Sequence, residues 1–332
     1  MIKLLKAYKK IILWILLPYL AVLFVFIYPT NYSVTAPGGL TRVDRFIDIE
    51  GVELLDNFHT VHVYYYYPIT LFQSWILVDD SRIDVEPLTP SEKDTSPYES
   101  YLKGQLSKHV SLKNSVITAY ELASEVDEQV SIEYVFDGLY VYSRPSRISD
   151  LKIGDHVVAI NGTSFEGLSP QEFANLLNPE NFTLTIRRII NDIPFEFDVS
   201  YVKEEGDVNF FFYVKYEIIE ASPRFVLPGL DQLVGGPSGG LLQTLTLYAS
   251  LVNINIGQDK IAGTGTISVS GNVGRIGGIV QKMYTASDTN VDIFFIPRSH
   301  LEEVQFLDYD FILVPVSTLR EAVEWLYEHY SG

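Results

Sequence analysis

The stretch GGPSGGLLQTLTLYASLV, residues 235–252, decides the fold of the C-terminal part of this chain. Apolar residues recur at three- and four-residue spacing from Leu241 to Val252, which predicts a helix over residues 239–252. Ser238 therefore lies among glycines at the start of an apolar helix. Glycines let another backbone approach closely, and the free N–H groups of a first helical turn can stabilise a developing oxyanion.

A nucleophilic role for Ser238 needs a base, because a serine hydroxyl alone is a weak nucleophile. The alternative interpretation of this serine is a helix N-cap in a glycine-rich turn. We predict that the surrounding loop binds the oxyanion or the substrate through Gly235, Gly236, Pro237 and Gly239. Six histidines are candidate bases, none within a recognisable motif: His59, His62, His109, His156, His300 and His329. A histidine-based triad is not excluded, but nothing in the sequence favours one.

The better candidate for the base is Lys282, within the segment IGGIVQKM at residues 276–283. No other charged residue occurs from Ile276 to Thr285. Removing an amine from water lowers its pKa, so a lysine in such surroundings can be neutral and can accept a proton. The alternative interpretation is an ordinary surface lysine.

Residues 208–330 resemble the proteolytic domain of Lon proteases. In that family the dyad serine lies in a Gly-Pro-Ser-Ala-Gly motif, and the Gly-Pro-Ser part is present here and ends at Ser238. The dyad lysine follows a Gly-Gly pair, as Lys282 does here, 44 residues after the serine. The resemblance implies that Thr264, at the opening of the intervening hairpin, hydrogen-bonds the lysine. Gly239 departs from the family, which usually has alanine at that position.

The N-terminus carries a lysine-rich tail, residues 1–10, followed by an uncharged run over residues 11–28. This run of 18 residues would extend about 27 Å as a helix, close to the hydrocarbon thickness of a bilayer. We predict a transmembrane helix over residues 11–28 with a cytoplasmic N-terminus, by the positive-inside rule. The alternative is a cleaved signal peptide, which the missing small-x-small site disfavours. The tail lysines are Lys3, Lys6, Lys9 and Lys10.

A second resemblance covers residues 130–201, which are similar to a PDZ domain. It rests on a Gly-Asp turn at Asp155, an Asn-Gly turn at residues 161–162 and a short helix predicted after a Ser169 N-cap. The resemblance implies a loop that presents N–H groups to a bound peptide: Gly138, Leu139, Tyr140 and Val141. The alternative is a small β-rich spacer without a binding groove.

The remaining segment, residues 29–129, is predicted to be β-rich, with an amphipathic helix over residues 112–126. β-branched and aromatic residues predict strands at residues 60–67 and 74–78. The expected fold class is α+β: a transmembrane helix, a β-rich segment, a PDZ domain and a Lon-type proteolytic domain.

The composition of the chain argues against several classes of partner and site. A net charge of −18 argues against nucleic acid, because phosphate binding needs clustered basic residues. The absence of cysteine excludes a thiol nucleophile, disulfides and thiolate metal sites. No phosphate-binding loop with a Gly-Lys-Ser/Thr ending occurs, so ATP is not an expected partner. We expect no cofactor and no metal.

The layout as a whole resembles the ATP-independent, membrane-anchored PDZ–Lon proteases of Gram-positive bacteria. This resemblance implies a serine endopeptidase with a Ser-Lys dyad that cleaves extracellular peptides or protein segments, while the PDZ domain binds or gates the substrate. It also implies a cell-membrane location with the catalytic domain outside. Lon domains often form rings, so a homo-oligomer is expected, without a subunit count. The rival hypothesis is a non-catalytic PDZ scaffold or sensor with an inert Lon-like domain.

Overall fold

The computed structural model describes residues 2–45, 47–191, 193–229 and 236–330. Within these ranges the chain forms two six-stranded sheets and two two-stranded sheets. The first part of the chain alternates helices with strands of one large sheet. Its elements are α1 (Ile2–Ile27), β1 (Tyr32–Arg42), β2 (Asp48–Ile49), β3 (Phe58–Tyr66), α2 (Leu71–Leu77), β4 (Asp84–Pro87), α3 (Pro90–Asp94) and α4 (Pro97–Ser124).

The middle part is mostly strand. Its elements are β5 (Ser131–Ser143), β6 (His156–Ile160), β7 (Thr163–Ser164), α5 (Pro170–Ala174), β8 (Asn181–Ile190), β9 (Ile193–Val202), β10 (Phe211–Ser222) and β11 (Phe225–Val226). The C-terminal part returns to alternation. Its elements are α6 (Gly240–Leu251), β12 (Ile261–Gly263), β13 (Thr266–Ile267), β14 (Val273–Gly274), α7 (Ile279–Asp288), β15 (Ile293–Pro297), α8 (Leu301–Val304), β16 (Ile312–Val316) and α9 (Leu319–Tyr330).

The first large sheet, called the mixed sheet below, has the strand order β16-β15-β12-β3-β1-β4. Strands β3, β12, β15 and β16 run parallel, while β1 is antiparallel to both of its neighbours. Parallel neighbours need crossover connections, which α7 and α8 supply. The fold is therefore mixed α/β, and the α+β prediction is corrected on this point, since helices and parallel strands alternate along the chain.

The second large sheet, called the antiparallel sheet below, has the order β10-β5-β6-β8-β9, with β7 beside β6. It has a core of its own, which includes Val141, Val157 and Ile186. Helix α5 begins after a capping box of Ser169 and Glu172, which confirms the helix predicted there. Helix α4 packs against α6 and also against β5 and β10, so it joins the antiparallel sheet to the core of the mixed sheet.

The N-terminal helix corrects the prediction of a transmembrane segment. Among the described residues, no helix is both long and apolar enough to cross a membrane. The helix α1 starts at Ile2 and includes the lysine-rich tail, instead of starting after it. The transmembrane helix predicted at residues 11–28 is therefore wrong, and the expected localisation stays a prediction without that support.

Two helices lie where the sequence indicated other structure. Helix α2 replaces the strand predicted at residues 74–78, because Thr70 and Gln73 form a capping box that starts a helix. Helix α4 begins well before its predicted start at residue 112, because a capping box at Ser96 with a proline in the first turn opens it.

Candidate functional site

Ser238 lies in a three-ten turn, residues 237–239, directly before α6. Every residue of α6 is buried, so this apolar helix anchors the turn in the core. Hydrogen bonds from other segments fix the turn. The Gly265 N–H donates to the Ser238 carbonyl at 2.7 Å, and the Ser111 hydroxyl of α4 donates to the Pro237 carbonyl at 3.1 Å.

Lys282 lies one turn into α7, which begins after Gly278. Gly278 has a φ of 65°, in the left-handed region that favours glycine. A Cβ at this position would also lie only 3.1 Å from Cγ2 of Thr35, on β1. The glycine thus lets α7 start close against the mixed sheet. Lys282 points inward from this helix and is 2% exposed.

The structure brings Ser238, Lys282 and Thr264 into direct contact. Lys282 Nζ lies 2.9 Å from Ser238 Oγ and 3.0 Å from Thr264 Oγ1. The Thr264 hydroxyl donates to the Ser238 carbonyl at 3.1 Å, so its oxygen is left to accept a hydrogen from the lysine amine. Thr264 therefore orients the amine, and the lone pair of an uncharged lysine is available to the serine hydroxyl.

Burial controls the protonation of this amine. It lowers the pKa of Lys282 from 10.5 to about 7, because the charged form loses its hydration in the protein interior. In the described part of the chain, no carboxylate forms an ion pair with the amine that would oppose this shift. At neutral pH a large fraction of the molecules therefore carries an uncharged amine at hydrogen-bond distance from Ser238.

A buried histidine supports the loop that precedes α7. His300 is 1% exposed, and its Nε2 accepts a hydrogen bond from the Ile276 N–H at 3.0 Å. Its Nδ1 lies 3.0 Å from a Glu303 carboxylate oxygen, an arrangement that places the ring proton on Nδ1. Burial lowers the pKa of His300, which favours this neutral form. No role was predicted for His300, since no local motif links it to a loop elsewhere in the chain.

A cleft of about 1010 Å³ opens over Ser238 and Lys282. Its walls come from the loop before α7, from α7 itself and from strands β1, β3 and β4 of the mixed sheet. This volume is that of a pocket for a sizeable ligand. Besides Lys282, its lining includes these charged side chains: Asp84, Glu86, Glu92, Arg275 and Glu303.

The loop predicted to hold the oxyanion is described in part. Gly236, Pro237 and Gly239 lie in or next to the serine turn, whereas Gly235 lies outside the described residues. The Gly239 N–H donates to the Gly236 carbonyl across 3.3 Å, which is long for such a bond. The oxyanion role of this loop stays a prediction.

The residues predicted to bind a peptide carboxylate lie apart from this site, in β5. Leu139 and Val141 are buried, and Gly138 has a φ of 80°. At these positions β5 pairs with β6 on one side and with β10 on the other, so that Tyr140 faces Tyr213. Both edges of β5 are occupied here, and a peptide added as a strand needs another edge.

The fold and the site together define the class: a mixed α/β protein with a serine hydroxyl and a buried, weakly basic amine in one open cleft. Residues 229–324 match the family model of the Lon protease (S16) C-terminal proteolytic domain. The matched range contains Ser238, Thr264 and Lys282 and covers less than a third of the chain. Over this range the chain is similar to a Lon-like S16 peptidase, and the match supports peptidase activity of the serine type.

Proposed function

We propose that the chain is a serine endopeptidase in which Ser238 is the nucleophile and Lys282 is its general base. The observation that carries the proposal is the 2.9 Å contact between Lys282 Nζ and Ser238 Oγ, made by an amine with a pKa of about 7. A base whose pKa lies near the working pH is best suited to general acid–base catalysis. The family match over residues 229–324 supports the same chemistry.

The proposed reaction is an acyl transfer in two halves. The neutral Lys282 amine takes the proton from Ser238 Oγ while this oxygen attacks the scissile carbonyl carbon, and the lysine then protonates the leaving amine. In the second half, the same neutral amine takes a proton from the water that hydrolyses the acyl-enzyme. Thr264 positions the amine through its 3.0 Å hydrogen bond, and N–H groups beside Ser238 stabilise the oxyanion.

We propose that this peptidase works without ATP, since the sequence contains no phosphate-binding loop of the Walker type. The substrate is a peptide or an unfolded protein segment. An extended chain fits a cleft of about 1010 Å³ that is open to solvent and lined by Ser238.

We also propose that the PDZ-like segment, residues 130–201, holds or gates the substrate. The resemblance of this segment to a PDZ domain and the presence of helix α5 support this role. Because β5 is paired on both sides, the edge of this segment that is open to an added peptide strand is that of β9, which in the described part of the chain pairs with β8 alone.

The experiment that tests this proposal compares peptide hydrolysis by the full chain with hydrolysis by Ser238→Ala and by Lys282→Met. We expect each variant to lower kcat by roughly 10⁴-fold or more, because neither the nucleophile nor the base can be replaced by solvent in the cleft. In the wild-type chain kcat/KM should rise with pH around a midpoint near 7. The rise follows from the pKa of Lys282, whose uncharged form accumulates above that value.

A matched control is Lys260→Met. Lys260 belongs to the same C-terminal part of the chain, donates a hydrogen bond to the Thr289 carbonyl and does not line the cleft. This variant should keep both kcat and the pH midpoint. Unchanged hydrolysis by Ser238→Ala would overturn the proposal. The rival reading, a non-catalytic PDZ scaffold or sensor, predicts that neither the wild-type chain nor any variant hydrolyses peptides.

A further inference from the structure

A second cavity, of about 590 Å³, adjoins the catalytic cleft. The two share the lining residues Pro237 and Thr266, and Pro237 directly precedes Ser238. The other walls are formed by α4, by the start of β10 and by the hairpin of β13 and β14. The cavity is therefore the place where the antiparallel sheet comes next to the serine turn.

The chemistry of this cavity differs from that of the cleft. The cleft is lined by several charged side chains, whereas none of the described residues that line the second cavity is charged. Two of its polar side chains on α4 are used within the protein. The Ser111 hydroxyl donates to the Pro237 carbonyl, and the Asn114 amide donates to the Ile267 carbonyl at 3.3 Å. The surface left for a ligand is apolar in character.

An exposed aromatic side chain stands at the mouth of the cavity. Phe211, at the start of β10, is 51% exposed although its ring packs edge-to-face on Tyr213, with centroids 5.3 Å apart. Both rings line the cavity. A large exposed aromatic residue beside a concave apolar surface is typical of a binding site, because a ligand side chain that enters would remove both from water.

We propose that this cavity is a substrate subsite that accepts one bulky apolar side chain, such as Phe or Leu, of the peptide cleaved at Ser238. The inference rests on the peptidase function proposed above and names the substrate class of the same site. An extended chain advances about 3.3 Å per residue, so a residue within a few positions of the scissile bond reaches a cavity that begins at Pro237. A charged side chain is rejected there, because it would lose its hydration without gaining a partner.

Hydrolysis of synthetic peptides of one length, with Phe, Leu, Ala, Asp or Lys at each position in turn, tests the subsite. For the wild-type chain, kcat/KM at one position should be roughly tenfold higher with Phe or Leu than with Ala, and lowest with Asp. Phe211→Ala should reduce this preference to about twofold at that position.

The matched control is Ile219→Ala, which removes another exposed apolar side chain of β10, 57% exposed and outside the cavity. It should leave the preference unchanged, and Phe211→Leu should retain it. Ser270→Phe, at an exposed position of the opposite wall, should fill the cavity and turn the preference towards Ala. Because both sites are exposed, neither change removes a core residue, and the unfolding transition of each variant checks this.

The outcomes separate this inference from the proposed function. Peptide hydrolysis without any apolar preference, or a preference that Phe211→Ala and Ser270→Phe leave unchanged, overturns the subsite and leaves the peptidase proposal standing. If the wild-type chain hydrolyses none of the peptides, the peptidase proposal is overturned, and the subsite falls with it. A preference lost in Ile219→Ala as strongly as in Phe211→Ala also contradicts the subsite.

Discussion

Two buried charged residues, Asp155 beside β6 and Lys282 on α7, are held in opposite ways. Asp155 is 5% exposed, and its carboxylate accepts two hydrogen bonds from Arg188, at 2.8 and 2.6 Å. Lys282 is 2% exposed, and its amine meets the hydroxyl groups of Ser238 and Thr264. The carboxylate has a partner of opposite charge, whereas the hydrogen-bond partners of the amine in the described part of the chain are neutral hydroxyl groups.

This difference separates a charge that holds the fold from one that is available for chemistry. For a buried carboxylate with a bidentate guanidinium partner, the removal from water is compensated by charged hydrogen bonds. A buried amine among hydroxyl groups has no such compensation, so it loses its proton near neutral pH and becomes a base. Asp155, beside β6 of the antiparallel sheet, therefore stabilises the fold. Lys282, on α7 against the mixed sheet, is instead available as a base in the site.

Breaking the paired charge should give the largest change in stability. Arg188→Met leaves the Asp155 carboxylate buried without its partner, which should lower the free energy of unfolding by about 3–5 kcal/mol. Urea unfolding followed by circular dichroism measures the change. The control on the same strand is Arg187→Met, whose exposed pair with Glu196 should contribute less than about 1 kcal/mol. Equal losses in the two variants would contradict the structural role of the buried pair.

Removing the unpaired charge should change stability in the opposite direction. The pKa of Lys282 is about 7 in the folded chain and 10.5 when solvated, so between these values the unfolded chain binds more protons. The stability of the wild-type chain therefore rises with pH across this window. Lys282→Met should raise the free energy of unfolding at pH 7 by on the order of 2–4 kcal/mol.

The pH dependence is the sharper part of this test. The gain from Lys282→Met should shrink by about 2 kcal/mol between pH 7 and pH 9, because the free energy of unfolding of the wild-type chain rises by that amount over the same range. Urea unfolding at both pH values measures it, with Lys260→Met as a control that shows no such gain. A loss of stability, or a gain that is the same at both pH values, would contradict the idea that the buried amine lacks a partner that compensates its lost hydration.

Giving Lys282 a partner of opposite charge should make it a paired buried charge, as Asp155 is. Thr264→Asp puts a carboxylate in place of the hydroxyl that lies 3.0 Å from the amine, which raises the pKa of the lysine. We expect peptide hydrolysis at pH 7 to fall by roughly 100-fold and the pH midpoint to move upward by about two units. Thr264→Val removes the hydroxyl without adding charge, so it should slow hydrolysis without an upward shift. A midpoint unchanged in Thr264→Asp would contradict the role of the neutral amine.

The candidate site could be predicted from sequence better than the fold around it. Ser238 and Lys282 could be named because glycines, an apolar helix and an uncharged surrounding segment are local features of sequence. Helix α6, at Gly240–Leu251, nearly coincides with the predicted helix over residues 239–252. The contact between the three side chains depends on the fold, and only the family resemblance anticipated it.

What could not be predicted depends on non-local contacts. The pairing of β3 with β12 places Phe58 opposite Ile261, and a periodicity read over a short window carries no information about such a partner. The same holds for His300, whose contact with Ile276 is visible only in three dimensions. The strand predicted at residues 74–78 is wrong for a different reason: a short apolar run fits a strand or a helix, and the capping box that starts at Thr70 selects the helix.

The smallest expected effect on stability comes from replacing Gly239, which lies next to Ser238. The packing around this residue explains why glycine occupies the position. The backbone there, φ −84° and ψ −7°, permits alanine, which would gain up to about 1 kcal/mol by restricting the unfolded chain. A Cβ would, however, lie 2.9 Å from Cγ2 of Thr60, which is 7% exposed on β3 and has little room to move. Gly239→Ala should therefore lower the free energy of unfolding by about 1 kcal/mol, because overpacking outweighs this gain.

Adding Thr60→Ser removes the opposing methyl group and keeps the hydroxyl, so the double variant should recover the loss and keep the gain from the restricted unfolded chain. Thr60→Ser alone should lose stability. Urea unfolding of the three variants measures the coupling between the two sites. If the double variant is no more stable than Gly239→Ala, contact with Thr60 is not what excludes alanine. Close approach of a substrate backbone is then the remaining reason for glycine, and KM for peptides should rise equally in Gly239→Ala and in the double variant.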